Sequence, residues 1–366
     1  MTGPVKVGVI GAGNISDQYL RNLVGYPDVE VVAVADLDTA RAREQATTYG
    51  VPSAGTVDEL LARPDIELVL NLTIPRAHAE VAMAVVRAGK HVWGEKPITM
   101  DRASARRLLD AARERGVLVG NAPDTVLGDG IQTSRRLLEA GRIGTPQTVL
   151  TIMQGPGPDA WHPRPQFLFA RGAGPLFDIG PYHVATMVHL LGPVEGVQAS
   201  GHRARAVRTV GSGPDAGTTF PVEVHTHVSV LIRFESGVVG TTLLSFDSPL
   251  RRQTFEITGS EGTLKVPVDS FDGASEIMPA GSADQVWERV DPDGEPRGFG
   301  VGALEMARAL RSGQTPRASG ALAYHVLDVM LAVEESIAAG TPVKVDSSFE
   351  PTPALPAGWD TRERTL

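Results

Sequence analysis

Short apolar runs alternate with polar stretches of helical spacing through the first third of the chain. The runs read VKVGVI, VEVVAVAD, LVLNLTI and HVWGEKP, and the stretches between them span 14–25, 38–49 and 76–89. Strands of a parallel sheet that is covered by helices on both faces read as continuous apolar runs, because neither face meets water. The pattern therefore predicts a doubly wound α/β domain, which we place at residues 1–123.

The pattern changes beyond about residue 123. Apolar and polar residues alternate in VEVHTHVSVLIRF (222–234) and in VVGTTLLSF (238–246), and Ser236 and Gly237 form a two-residue turn between these runs. Alternation with a period of two and a tight turn are typical of an antiparallel sheet that is covered on one face. The second part of the chain is thus expected to contain such a sheet.

The remaining segments of the second part complete this prediction. Apolar spacing predicts helices within 301–339. Segments 208–220 and 267–300 are rich in Gly, Pro, Asp and Ser and predict surface loops, and the tail from residue 350 is expected to be irregular. Residues 124–366 should therefore form an α+β domain.

Composition restricts the partners and the kinds of site. A chain of 366 residues with 42% hydrophobic content favours two packed units over disorder. The net charge of -9 without a basic block disfavours nucleic acid, and the absence of cysteine excludes disulfides, thiolate metal sites and a cysteine nucleophile. The apolar run at the N-terminus is shorter than a secretory signal or a membrane span requires, so we expect a cytoplasmic protein without a membrane partner.

A glycine-rich turn follows the first apolar run and has the form G-x-G-x-x-S. Gly11 permits a tight turn, Gly13 lets a pyrophosphate approach the main chain, and the small Ser16 allows the next helix to pack closely on the strand. Asn14 and Ile15 begin that helix, whose N-terminus would face the negative charge. By itself the motif also fits a glycine turn in an α/β protein that binds no dinucleotide.

An acidic residue strengthens the prediction of a dinucleotide site. Asp36 ends the next apolar run, 20 residues beyond Ser16, where a carboxylate can bind the ribose hydroxyls. Its charge would repel a 2'-phosphate and so favours NAD, whereas Arg41 and Arg43 nearby could accept that phosphate. We therefore predict NAD as the cofactor and keep NADP as the alternative.

Polar side chains follow two further apolar runs. NLTIPRAH places Asn71, Thr73, Pro75 and His78 after a strand, where they could line the nicotinamide ribose. Open α/β sheets bind their ligands at the carboxyl ends of their strands. His78 fits a surface position at the start of a helix equally well.

WGEKPITM places Glu95, Lys96 and Pro97 directly after another predicted strand. Glu95 joins the predicted cofactor contacts, and Lys96 is a candidate proton donor or acceptor as well as a cofactor contact. Burial and the positive charge of an oxidised nicotinamide would lower the pKa of Lys96 toward a useful value. The alternative is an ordinary surface lysine before a turn proline.

Together these motifs resemble the Gfo/Idh/MocA oxidoreductases, the family of glucose-fructose oxidoreductase and inositol dehydrogenase. The G-x-G-x-x-S turn, the E-K-P at 95–97 and GAGPLFDIGPYHVATMVHLLG come in the family's order and approximate spacing, over nearly the whole chain. The resemblance implies a Rossmann domain at 1–123. At 124–366 it implies a substrate-binding and oligomerisation domain with an open, mostly antiparallel sheet, and it implies a Lys96–Pro97 bond that is often cis.

The last of these segments supplies further catalytic candidates. In many members of the family, the E-K-P lysine forms a catalytic set with an aspartate and with a histidine four residues after that aspartate. In this sequence Tyr182 stands four residues after Asp178, and His183 comes one residue later. On one continuous helix Tyr182 would lie about 40° from Asp178 and His183 about 140° away. We therefore predict Lys96, Asp178 and Tyr182 as catalytic, with His183 packed in the core or supporting the substrate site.

Two other groups of side chains have chemistry that suits binding. Trp161, His162 and Arg164 occur in a proline-rich loop, where an indole face and polar groups suit a sugar, although a domain or subunit contact fits as well. His225 and His227 alternate along a strand, but no third ligand has a telling spacing, so we predict no metal site.

Residues and resemblance together predict an NAD(P)-dependent dehydrogenase or reductase. It would transfer a hydride between nicotinamide and a secondary alcohol or ketone of a sugar, cyclitol or glycoside, while the hydroxyl proton passes to Lys96 or Tyr182. The alternatives are a dinucleotide-binding regulator without turnover and an NAD-dependent glycosidase that retains its cofactor. By analogy, an exposed sheet face within 222–246 suggests a homodimer or homotetramer.

Overall fold

A parallel sheet forms the core of the N-terminal part in the computed structural model, which describes residues 3–268, 270–294 and 296–366. Its strands are β1 Val5–Ile10, β2 Val29–Ala35, β3 Ala54–Gly55, β4 Leu68–Asn71, β5 His91–Gly94 and β6 Val119–Asn121. The connecting helices are α1 Asn14–Leu23, α2 Thr39–Tyr49, α3 Val57–Leu61, α4 His78–Arg87 and α5 Arg102–Arg115.

The strand order of this sheet is β3-β2-β1-β4-β5-β6, and all its neighbouring strands are parallel. The central strand β1 is buried along most of its length, as its apolar sequence VKVGVI requires when helices cover both faces. The chain moves outward from β1 in one direction through β2 and in the other through β4. This reversal opens a crevice at the carboxyl ends of the strands, where open α/β sheets bind ligands.

The second part of the chain is built on a nine-stranded sheet in the order β16-β15-β14-β13-β7-β12-β11-β8-β17. The strands of this part are β7 Pro146–Gln154, β8 Val194–His202, β9 Val207–Thr209, β10 Thr219–Pro221, β11 His227–Phe234, β12 Val239–Ser245, β13 Arg252–Gly259, β14 Gly262–Lys265, β15 Ser275–Pro279, β16 Glu288–Val290 and β17 Val343–Lys344. Its helices are α6 Asp129–Glu139, α7 Gly174–Asp178, α8 Gly180–Leu191, α9 Val301–Ser312 and α10 Gly320–Ala339.

Most neighbours in this sheet are antiparallel, whereas β7 and β12 are parallel, and β9 and β10 pair separately. Burial alternates along β11, with Val228, Val230 and Ile232 turned inward and Leu231 exposed. Helix α10 packs against α8, β8 and α5, so it lies between the inner side of the sheet and the N-terminal domain. The predicted fold class, a doubly wound parallel sheet followed by an α+β domain, is confirmed.

Several element boundaries differ from the predictions. The predicted strand 222–234 begins only at His227, because residues 222–226 leave the sheet. The predicted loop 208–220 contains most of the β9–β10 pair, and 267–300 contains β15 and β16. β9 pairs with β10, and β15 pairs with β14 and β16, so these short strands depend on pairing that the composition of each segment does not reveal.

The C-terminal tail has no helix or strand from residue 350 onward, as predicted. It returns to the N-terminal domain, where the Thr365 main-chain N–H donates to the buried Asp28 carboxylate at 3.0 Å and Arg308 pairs with the same group at 2.8 Å. Among the helices of the described ranges, none combines the length and the apolar character that a membrane crossing demands.

Candidate active site

The turn after β1 presents main-chain N–H groups to open space. Gly11 has a φ of 103°, and a Cβ at this residue would lie 2.6 Å from the Leu72 carbonyl oxygen, so the turn requires glycine. A Cβ at Gly13 would meet nothing within 4 Å, and no side chain caps α1, which begins at Asn14. Uncapped N–H groups at a helix N-terminus that faces open space fit a dinucleotide pyrophosphate.

The carboxylate at the end of β2 is held against this turn. Asp36 Oδ2 accepts the Ala12 main-chain N–H at 2.7 Å, and Oδ1 accepts that of Asp38 at 2.9 Å. Each oxygen retains a second lone pair that can accept a ribose hydroxyl. The position and charge of Asp36 therefore fit a diol and oppose a phosphate.

The turn after β4 is organised by its own side chains. Asn71 is buried; its Nδ2 donates to the His78 carbonyl at 3.0 Å, and its Oδ1 accepts the Thr73 hydroxyl at 2.6 Å. Thr73 is half-buried and Pro75 is exposed at the mouth of the turn. Asn71 thus shapes the turn, and the cofactor contacts expected of Thr73 and Pro75 stay predictions.

The structure corrects the cofactor contact predicted for His78. This side chain is 2% exposed, with Nδ1 2.6 Å from the Pro97 carbonyl oxygen and Nε2 2.9 Å from that of Thr73. Both ring nitrogens are therefore occupied by main-chain carbonyls. His78 joins the turn after β4 to the E-K-P loop and cannot contact a ligand in this arrangement.

The E-K-P loop follows β5 and carries the central side chain of the site. Lys96 Nζ donates to the Asp178 main-chain carbonyl at 2.8 Å and lies 3.4 Å from Asp178 Oδ1. The same atom is 5.0 Å from the centroid of the Tyr182 ring, and the Lys96–Pro97 bond is cis, as the family resemblance implied. The structure therefore brings the three predicted catalytic residues together.

The pKa of Lys96 is shifted upward in the protein without cofactor, whereas the predicted lowering included the positive charge of an oxidised nicotinamide. Burial lowers the pKa of its ammonium, but Tyr182, Asp178 and Glu95 act in the opposite direction and leave that pKa above its ordinary value. Burial also raises the pKa of the Tyr182 phenol, although the Lys96 charge opposes this. In the protein without cofactor, both groups therefore carry a proton at neutral pH and can donate it.

The helix that carries Asp178 and Tyr182 is broken. Helix α7 ends at Asp178 and α8 begins at Gly180, with Ile179 between them, whereas the angular argument assumed one continuous helix. Pro181 in the first turn of α8 lacks an N–H, and the Tyr182 N–H bonds to the Ile179 carbonyl at 3.0 Å. The break accounts for the approach of both an Asp178 backbone carbonyl and the Tyr182 ring to Lys96.

His183 lies on the opposite side of α8. Its ring is fully buried, stacks on Phe255 at a centroid distance of 6.2 Å and has no hydrogen-bond partner at either nitrogen among the described residues. Burial lowers its pKa to about 4. The packed position that was one of the two predictions is thus the observed one, and direct binding of substrate by His183 is corrected.

The predicted carbohydrate-binding loop is exposed. The rings of Trp161 and His162 meet edge-on at 5.6 Å, Trp161 is 60% exposed, and Arg164 is also exposed. The turn that precedes them is fixed by an ion pair of 2.6 Å between Asp159 and the buried Arg208. The loop therefore offers an exposed aromatic surface, and its role in binding stays a prediction.

The sequence interpretation missed Tyr19, which lies in α1 next to this site. Its hydroxyl donates to Glu95 Oε1 at 2.7 Å, and its side chain is fully buried. A tyrosine within an amphipathic helix has no signal in the sequence that separates it from an ordinary core residue. Only the three-dimensional contact between α1 and the loop after β5 reveals this hydrogen bond.

Comparisons with known proteins agree with this architecture. A family model described as an oxidoreductase family with an NAD-binding Rossmann fold matches residues 5–122, and a model of the GFO/IDH/MocA C-terminal domain matches residues 131–265.

Two curated relatives and one solved structure illustrate the similarity. The chain is 29% identical to the 1,5-anhydro-D-fructose reductase of Ensifer adhaerens, over 70% of this chain and 74% of the relative. It is 30% identical to the dTDP-3,4-didehydro-2,6-dideoxy-alpha-D-glucose 3-reductase of Saccharopolyspora spinosa, over 73% and 75%. The structure of levoglucosan dehydrogenase in complex with NADH and L-sorbose superposes with a TM-score of 0.81 at 23% identity, over 94% of this chain and 100% of that one. At this identity the similarity shows a shared fold only.

Proposed function

Because the chain belongs to the GFO/IDH/MocA oxidoreductase family, whose N-terminal domain is an NAD-binding Rossmann fold, we propose that it interconverts a secondary alcohol and a ketone. The proposed substrates are sugars, cyclitols and glycosides. The names of the two curated relatives, both reductases of sugar derivatives, support this class.

The observation that carries the proposal is the cluster of Lys96, Asp178 and Tyr182. Lys96 Nζ lies within 3.4 Å of an Asp178 carboxylate oxygen and 5.0 Å from the Tyr182 ring centroid, beside the carboxyl end of β5. A cofactor-binding protein without turnover would have no need for an ammonium, a carboxylate and a phenol at this place. Their combination supports acid–base chemistry on an oxygen atom.

Separate residues would bind the cofactor and transfer the proton. A bound nicotinamide dinucleotide supplies the hydride acceptor or donor; Gly11, Gly13 and Asp36 would hold it. In the reductive direction Lys96 Nζ donates its proton to the ketone oxygen, which its raised pKa favours. In the oxidative direction Lys96 must first release its proton, which the positive charge of an oxidised nicotinamide would favour, and its neutral amine then accepts the hydroxyl proton. Asp178 orients the amine, and Tyr182 can donate a hydrogen bond to the same oxygen.

Each domain has a proposed task. Residues 1–123 would bind the cofactor, and residues 124–366 would bind substrate and form the oligomer. The outer sheet face supports the second task, since Leu150, Leu231 and Val239 are 38%, 56% and 52% exposed along a groove of about 760 Å³. A second copy of the chain is the proposed partner, and Leu231→Arg should shift the mass measured by light scattering toward the monomer.

The proposed activity can be tested directly. The protein is incubated with a panel of sugars, inositols and glycosides and with NAD or NADP, and the absorbance of reduced nicotinamide is followed. We expect turnover with at least one polyol and a preference for NAD.

Other outcomes of this panel would favour the alternatives. Cleavage of a glycosidic bond by protein that retains cofactor through purification would indicate the glycosidase. Dinucleotide binding without any turnover would contradict the proposed enzyme.

A further inference from the structure

Tyr19 connects the helix after the glycine turn with the E-K-P loop. It lies on the inner side of α1, its side chain is fully buried, and its ring packs against Phe299 at a centroid distance of 5.6 Å. The hydroxyl donates to Glu95 Oε1 at 2.7 Å. A buried hydroxyl that ends on a carboxylate fixes the direction of that carboxylate.

Both carboxylate oxygens of Glu95 are engaged. While Oε1 accepts the Tyr19 hydroxyl, Oε2 accepts the main-chain N–H of Lys96 at 3.0 Å. The Lys96 ammonium does not turn back to this adjacent carboxylate but pairs with Asp178 across the domain boundary. Two neighbouring residues of opposite charge therefore have separate partners.

This separation needs a cause, because neighbouring opposite charges in a partly buried site attract each other strongly. Lys96 and Asp178 have side-chain exposures of only 17% and 28%, so water screens the attraction weakly. If Glu95 were free to rotate, its carboxylate would compete with Asp178 for the Lys96 ammonium. Two contacts restrain this carboxylate, the Lys96 main-chain N–H on Oε2 and the Tyr19 hydroxyl on Oε1, and the second is the one that comes from outside the E-K-P loop.

We propose that Tyr19 is a positioning residue, which holds Glu95 away from Lys96 Nζ and so leaves that atom directed at Asp178 and Tyr182. The inference rests on the proposed function only where it concerns catalysis. The restraint on Lys96 is a property of the protein itself.

The charged surroundings keep the Tyr19 hydroxyl a donor. Burial raises the pKa of Tyr19 well above its ordinary value, and Asp124 and Glu95 raise it further. Asp124 lies in the turn after β6 and accepts the N–H groups of Gly300 at 3.0 Å and Gly302 at 2.6 Å. Because the phenol retains its proton, it donates to Glu95 at any pH at which the enzyme would work.

The groups that face Lys96 and Glu95 come from four elements. Tyr19 belongs to α1, Asp124 to the turn after β6, Asp178 to the end of α7 and Tyr182 to the start of α8. Of these four groups Asp178 and Tyr182, together with Glu95, raise the pKa of Lys96. Releasing Glu95 toward Lys96 should therefore raise that pKa, since an opposite charge nearby favours the ammonium.

The test measures the Lys96 pKa without substrate or cofactor. The chain has five lysines, so acylation of each amine by acetic anhydride can be followed over pH by peptide mass spectrometry. Tyr19→Phe keeps the ring and removes the hydroxyl. We expect it to raise the Lys96 pKa by about one unit and to shift the pH profile of kcat in the same direction.

A second variant examines the link through Glu95. Glu95→Gln removes the charge that Tyr19 restrains and should lower the Lys96 pKa. In the Glu95→Gln background, Tyr19→Phe should cause no further shift, because no carboxylate is left to release.

Tyr49→Phe is the matched control. The Tyr49 hydroxyl also bonds to α1, at 3.2 Å from the Asp17 carbonyl oxygen, but on the side away from the E-K-P loop. This substitution removes one hydroxyl, which contacts the carbonyl and the carboxylate of Asp17 on the same helix, and should leave the Lys96 titration unchanged.

Three results would overturn the inference. They are an unchanged Lys96 pKa in folded Tyr19→Phe, the same shift in both backgrounds, and an unchanged Lys96 pKa in Glu95→Gln. The last result is obtained with Tyr19 in place, so it can overturn the inference even if Tyr19→Phe does not fold. Since acylation needs no turnover, failure to find a substrate would count against the proposed function alone.

Discussion

The sheet side of the candidate active site and its helix side differ in what positions their residues. On the sheet side, Gly11 follows β1, Asp36 follows β2 and Lys96 follows β5, so each residue is placed by the end of its own strand. On the helix side, Asp178 and Tyr182 reach Lys96 through the break between α7 and α8. The first arrangement is local, whereas the second depends on how the two domains pack.

This difference predicts two kinds of mutational behaviour. Along the sheet edge, cofactor binding and proton transfer belong to separate strand ends, so a substitution should affect one and spare the other. On the helix side, Tyr182 and His183 are neighbours in sequence but face a polar site and an apolar core. There, a substitution should affect either chemistry or stability.

The largest effect is expected for Lys96→Ala. Removal of a single acid–base group typically costs about 100-fold to 10,000-fold in rate, so kcat should fall by that order while the dinucleotide Kd changes little. Steady-state kinetics and a dinucleotide titration measure the two quantities. If the dinucleotide Kd rises by the same factor as kcat falls, Lys96 also contributes to cofactor binding. The proposed separation of cofactor binding from proton transfer is then wrong.

A smaller loss is expected for Tyr182→Phe, which keeps the ring near Lys96 and removes the hydroxyl. A lost hydrogen bond to a charged or reacting group typically costs about 1.5–3 kcal/mol, or about 10-fold to 100-fold in kcat. The control is His183→Asn, which should preserve kcat and lower the Tm. An active Tyr182→Phe beside a folded, inactive His183→Asn would reverse the assignment of the two neighbours.

The sequence made the sheet side far more predictable than the helix side. Gly11, Asp36 and Lys96 could be found because each follows an apolar run, and the fold gathers such strand ends at one edge. Tyr182 was predicted from an angle on a continuous helix that the structure divides at Ile179. The prediction favoured the residue that lies beside Lys96, but the observed reason is the position of α8 against the E-K-P loop.

Supporting residues were the least predictable part of the site. His78 looked like a ligand contact because it follows a strand, yet it is buried with its two ring nitrogens 2.6 and 2.9 Å from the main-chain carbonyl oxygens of Pro97 and Thr73. Tyr19 looked like any core residue of an amphipathic helix. Both roles depend on contacts between separate loops, and such contacts have no period or spacing in the sequence.

Cofactor preference gives a third, more moderate prediction. Asp36→Asn keeps an acceptor for the Ala12 N–H but removes the charge, so NAD affinity should fall about 10-fold and NADP should be disfavoured less. Asp38→Asn is the control, since Asp38 caps α2 by accepting the Ala40 N–H at 3.0 Å instead of facing the glycine turn. If the Asp36→Asn variant binds NAD and NADP with the same affinities as the parent protein, Asp36 does not set the preference for NAD.

The smallest effect concerns the pH dependence of stability on the helix side. Burial lowers the pKa of His183 to about 4 and that of His189 to about 3, with Arg135 and Arg317 adding to the second shift. An unfolded histidine has a pKa near 6.5, so the unfolded chain binds these protons first as the pH falls. Stability from the neutral rings is complete above about pH 6.5 and is lost progressively below it.

Asp124 acts with the opposite sign. Burial raises the pKa of its carboxyl to about 7, so its contribution is present at low pH and is lost as the pH rises through that value. Comparing a variant with its parent at each pH cancels this shared contribution. The difference between the two curves then reports on His183 alone.

His183→Asn should therefore lower the Tm most at pH 7.5 and progressively less toward pH 5. At the higher pH the parent has the full benefit of a packed neutral ring against Phe255, whereas at the lower pH it must also resist protonation of that ring. Thermal unfolding of both proteins across this range measures the convergence. Parallel curves would mean that His183 already has a partner for its proton in the folded protein, and the helix side would then hide a second polar site behind Tyr182.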